Sequence, residues 1–135
     1  MPPTHEQLWK RRASAVFALI CAGLPATVLA HSAGKGPNGG VEVVTADVKH
    51  LELVSKQGQI IVYIADAKHE PISTSGGSGR AIVQKDGKTL MIDLVPAEPN
   101  LLTGKSEAPL VKGTRVVVSA TLAGGVAIQS RFVMP

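Results

Sequence analysis

Three histidines downstream of a leader-like segment, His31, His50 and His69, are the side chains through which this chain can do chemistry. Imidazole nitrogen suits copper and zinc. If the chain begins at His31 after processing, the α-amine and ring nitrogen of that residue close a small chelate ring on one ion. A further imidazole from His50 or His69 adds a third nitrogen, the tetragonal nitrogen set that Cu(II) prefers, and Cu(II) heads the divalent affinity order. Each histidine taken alone also reads as an ordinary solvated side chain. Methionine adds little to this set. Met91 sits in an apolar run and reads as core filler, and Met134 near the end reads as exposed and alone. A Cu(I) site of several thioethers is therefore not expected, and the expected metals are Cu(II) and Zn(II).

Enzyme constellations are mostly missing. Ser73-Thr74-Ser75-Gly76-Gly77-Ser78 contains no Gly-x-Ser-x-Gly elbow, and Gly76-Gly77-Ser78-Gly79 lacks the lysine of a phosphate loop. Asp47, Glu52, Asp66, Glu70, Asp86, Asp93, Glu98 and Glu107 are scattered singly, with no spacing that pairs two of them for acid–base work. One minor exception is a copper oxidase of the two-histidine type, with Tyr63 as its axial tyrosine. The chain reads as a binding protein rather than an enzyme.

Composition narrows the partners. The chain has 135 residues, enough for one domain. Lys10-Arg11-Arg12, the uncharged run 13–24, Pro25, and small residues up to Val28 and Ala30 form a secretory signal peptide, with cleavage expected after Ala30. Cleavage removes Cys21, the one cysteine, so disulfides and thiolate metal sites are excluded. It also removes Lys10, Arg11, Arg12 and Glu6, leaving 11 basic and 9 acidic side chains. So even a balance, with Tyr63 and Phe132 the aromatics that stay, argues against nucleic acid as a partner. Export without an anchor predicts a periplasmic location, with no stable membrane insertion after cleavage.

The elements that must position the histidines are strands. Residues 31–40 are rich in glycine and read as a flexible arm, and 41–135 as the folded domain. Apolar, β-branched runs at 41–46, 50–54, 59–65, 80–84, 89–95, 115–122 and 126–133 predict about seven strands. Asp86-Gly87, Gly124-Gly125 and Lys56-Gln57-Gly58 are hairpin signals. Alternation sends Leu51 and Leu53 to the core and His50 and Glu52 outward or to a loop-lined edge. In 59–65 either Ile60, Val62 and Ile64 or Ile61 and Tyr63 point inward. The expected fold is all-β, an immunoglobulin-like antiparallel sandwich. His69 lies in a connection, 66–74, longer than a tight hairpin.

Gly36-Pro37-Asn38-Gly39-Gly40, His50-Leu51-Glu52-Leu53-Val54 and Val62-Tyr63-Ile64-Ala65-Asp66 resemble stretches of a group of small bacterial periplasmic proteins found alongside heavy-metal efflux systems. Members of that group carry a histidine-rich arm before the Gly-Pro-Asn-Gly-Gly element; here the arm holds His31 alone. More distantly, an exported β-sandwich with an N-terminal histidine is similar to periplasmic copper-resistance proteins, and His31 matches their Cu(II)-binding histidine. The resemblance implies a metal-binding accessory protein with His31 as its ligand; joined to the reading of the histidines above, the expectation is a buffer or carrier of Cu(II) or Zn(II), with His31 as anchor and His50 or His69 as a further ligand. Its partner would be an efflux-system or envelope protein. The alternative is an immunoglobulin-like adaptor that binds such a protein without metal.

Overall fold

The computed structural model describes residues 33–135. The expected signal peptide, its cleavage site after Ala30, Cys21 and His31 lie outside the described residues. The described part is all-β, with nine strands: β1 (Gly34–Lys35), β2 (Val41–Val44), β3 (His50–Lys56), β4 (Gln59–Ala65), β5 (Ser78–Lys85), β6 (Lys88–Ala97), β7 (Leu101–Lys105), β8 (Arg115–Thr121) and β9 (Ala127–Val133). The three hairpin signals hold. Gln57 and Gly58 (φ 51° and 72°) join β3 to β4, and Asp86 and Gly87 (φ 50° and 73°) join β5 to β6. Two successive left-handed residues make the turn whose twist matches that of the flanking strands. Leu122 to Val126, with Gly124 and Gly125 both left-handed, closes β8 onto β9.

Two strands were not expected. β7 is short and interrupted by Gly104, a weak strand signal. The glycine is needed, because a Cβ there would stand 2.7 Å from the Asp93 carbonyl oxygen. β1 lies in the glycine-rich stretch expected to be a free arm. From residue 33 onward that stretch is instead built into the sheet, with Gly34 opposite Glu42 and Lys35 opposite Val41.

Pairing is antiparallel and continuous in the order β1-β2-β3-β4-β7-β6-β5-β8-β9, one sheet curled into a half-barrel where the sequence suggested two sheets of a sandwich. The cause is β6, ten residues long. Lys88 to Leu94 pair with β5, while Val95 to Ala97 pair with β7, so one bent strand belongs to both halves. The halves face each other across one core that includes Leu51, Leu53, Ile60, Val62, Ile64 and Leu102 from one half and Val116, Val118, Ile128 and Phe132 from the other. Leu51 and Leu53 are core as alternation predicts, and Ile60, Val62 and Ile64 are the inward set of β4. Met91 corrects the expectation of a core filler: it is 63% exposed on the outer face, with Ile92 beside it buried. Met134 is half-buried against the core rather than exposed. Among the described residues no helix is long and apolar enough to cross a membrane.

The β2–β3 connection carries local strain. Val48 has φ 60° and is 51% exposed, a left-handed backbone that a β-branched side chain adopts at a cost. Asparagine tolerates this region. Val48→Asn is expected to raise stability by about 1 kcal/mol in urea denaturation, from relief of that strain.

Candidate metal centre

The outer face of β2, β3 and β4 carries two cross-strand rows. One runs Glu42, Glu52, Tyr63 and the other Val44, His50, Ala65. Cross-strand neighbours on one face lie close enough to touch. Leu51 and Leu53 point into the core, so His50 and Glu52 point away from it.

Glu52 is nevertheless only 3% exposed. The turn Gly36-Pro37-Asn38-Gly39-Gly40 folds over it and supplies its donors. Asn38 N–H donates to Oε1 at 2.9 Å, Asn38 Nδ2 to Oε2 at 2.7 Å, and Gly40 N–H to Oε1 at 2.8 Å. Gly36 permits the close approach, because a Cβ there would fall 2.2 Å from the Glu52 carboxyl carbon. Glu52 is thus fully engaged in holding the turn.

His69 reaches the same face from the loop after β4. Ala65 bridges to Pro71, Asp66 N–H donates to Glu70 O, and His69 N–H donates to Asp66 O. The Asp66 carboxylate accepts the N–H groups of Glu70 and Lys68 at 2.9 and 2.8 Å. Those two bonds, Glu70 first, hold its carboxyl below the ordinary value of 3.8. A depressed folded value means that the loop's contribution is complete above about 3.8 and fades only as pH falls through the lower, folded value. At neutral pH the loop is set. His69 takes a left-handed backbone, φ 62°, and its ring lies against that of His50.

The result is a cluster of two imidazoles and one carboxylate, Glu42, His50 and His69, with one ligand atom from each within 4.8 Å of the others. His50 Nδ1 lies 2.9 Å from Glu42 Oε1, and His69 Nε2 lies 3.7 Å from the same oxygen. The imidazole centroids are 3.9 Å apart and tilted by 35°. Beside the cluster is a cavity of about 110 Å³, lined also by Pro37, Asn38, Glu52, Tyr63, Ala65 and Asn100. That is room for several water-sized groups. Two imidazoles and a carboxylate with open positions beside them are the ligand set of zinc and other transition-ion sites that keep exchangeable coordination.

Of the histidines picked out by sequence, His50 and His69 come together, and His31 lies outside the described residues. Glu42 was missed. The signal for it is the hairpin register: Val44 opposite His50 puts Glu42 two residues along on the same face. Set against protein-family models, curated proteins and solved structures, the chain finds no match in any of the three.

The two glutamates of this face should behave oppositely. Glu52→Gln removes a carboxylate that satisfies buried N–H groups and is expected to cost roughly 1–3 kcal/mol in chemical denaturation. Glu42→Gln, which ends only a partly exposed contact with His50, is expected to cost under about 1 kcal/mol.

Proposed function

We propose that this chain is a periplasmic metal-binding accessory protein, a buffer or carrier of Cu(II) or Zn(II) for heavy-metal efflux or resistance, with Glu42, His50 and His69 as ligands. The observation that carries the reading is the convergence of His50 and His69, far apart in sequence, on one Glu42 oxygen. At 2.9 Å the first imidazole makes a hydrogen bond, whereas the second, at 3.7 Å, lies too far for one. A cation among the three would use all of them. Nitrogen donors favour Cu(II) and Zn(II) over calcium or magnesium, which prefer all-oxygen sets. His31 belongs to the same proposal as a further ligand. Gly34 pairs with Glu42, and the three residues back to His31 span at most about 10 Å.

A second reading is favoured by the sheet's edge. β9 ends the strand order, and Val133 on it is 56% exposed, so an immunoglobulin-like adaptor role through strand addition to an efflux or envelope protein is the competing proposal. That role would survive replacement of all three histidines.

The test is a titration with Cu(II), and separately Zn(II), followed by calorimetry and, for copper, electron paramagnetic resonance. The chain beginning at His31 is run beside one with an extra N-terminal residue. His50→Ala, His69→Ala and Glu42→Gln should each weaken binding by at least the roughly 10–100-fold typical of losing even an outer partner of a metal ligand. The extra residue, by displacing the His31 amine, should weaken copper binding further. At a free ion concentration of 100 times Kd the fold should gain about 2.7 kcal/mol. Absence of binding, or equal weak binding by all variants, sinks the metal reading and leaves the adaptor.

A further inference from the structure

The three proposed ligands among the described residues are not equivalent. Glu42 and His50 stand on adjacent, paired strands, and their side chains are 18% and 14% exposed, whereas that of His69 is 57% exposed on a loop. The loop is tied down at its base. Ile72 N–H and Asn100 Nδ2 both donate to Ile64 O, and the buried Thr74 hydroxyl donates to Leu101 O. Its tip, by contrast, is held by the Asp66 backbone and carboxylate. His69 can therefore move with one short turn, whereas Glu42 and His50 are carried on paired strands with their side chains largely covered. The cavity on the same side gives an incoming ligand a place to stand.

Resting on the metal reading above, we infer that His69 is the exchange ligand, so that the ion arrives and departs through it while Glu42 and His50 stay as anchors. In the step, the metal–nitrogen bond to His69 breaks and its electron pair remains on the imidazole. A nitrogen donor of the acceptor supplies the pair for the new bond, and the metal's oxidation state does not change. The site then hands its ion to an acceptor rather than storing it in a closed cage. Asp66 is the positioning residue that sets how often the tip opens.

The experiment is stopped-flow transfer of Cu(II) from the loaded chain to a chromophoric polyamine chelator over a range of chelator concentrations, after an equilibrium titration has established loading. The wild-type rate should rise and then level off, the plateau being the opening rate of His69. Asp66→Ala removes the two N–H bonds that hold the tip and should raise that plateau about tenfold, and His69→Ala should abolish it, leaving a rate linear in chelator. Far-UV circular dichroism checks that both loop variants keep the sheet. A plateau that persists in His69→Ala, or one unmoved by Asp66→Ala, overturns the exchange role while leaving binding intact. A wild-type rate without a plateau also overturns it. Failure to load either Cu(II) or Zn(II) in the titration strikes the metal reading itself, and the exchange role falls with it.

Discussion

The buried carboxylate of Glu52 is the constraint on which this end of the molecule depends. An acidic side chain on the outer face of a sheet would ordinarily stay in water, because removing its charge from solvent is costly unless donors replace the lost hydration. Here the donors are the Asn38 and Gly40 backbone and the Asn38 amide. Satisfying that one group draws a glycine-rich segment onto the sheet and brings β1 alongside β2. It also lays Pro37 and Asn38 along the cavity beside Glu42. Glycine at 36 is part of the same bargain, since any side chain there would occupy the space of the Glu52 carboxylate.

With Glu52 consumed by structure, its cross-strand neighbour Glu42 is left to face two imidazoles. The two glutamates occupy directly opposed positions on paired strands, yet their environments divide them. One accepts its full complement of N–H donors. The other has one close imidazole contact and a second imidazole drawn up just beyond bonding range. This contrast is the physical ground for treating Glu42, His50 and His69, and not Glu52, as groups with coordination to spare.

Much of this was legible in the chain, and the failures have identifiable causes. Period-two alternation around Leu51 and Leu53 correctly separated the core face from the face of His50 and Glu52, because alternation is local. Asp86-Gly87 and Gln57-Gly58 marked hairpins because left-handed turns select residues. Glu42 escaped because its partnership depends on register across a five-residue connection, a non-local quantity. The continuous sheet escaped for a similar reason: nothing in Val95-Pro96-Ala97 announces that the end of β6 leaves β5 to pair with β7. From residue 33 onward the glycine-rich stretch was misread by composition, which sees few apolar groups but cannot see a carboxylate that needs its N–H groups.

Two loops at this end of the sheet share one backbone plan. In the first, Thr45 N–H donates to Lys49 O and Val48 N–H to Thr45 O; in the second, Asp66 N–H donates to Glu70 O and His69 N–H to Asp66 O. The fourth residue of each is left-handed, Val48 in one and His69 in the other. Glycine would relieve both positions. At Val48 the exposed side chain gives no visible return for the strain. At His69 the same backbone twist turns the imidazole back over His50 and toward Glu42, so a glycine would relax the loop and delete the group that completes the cluster. The left-handed backbone at His69 thus ties the geometry of one turn to the chemistry proposed for the face beneath it.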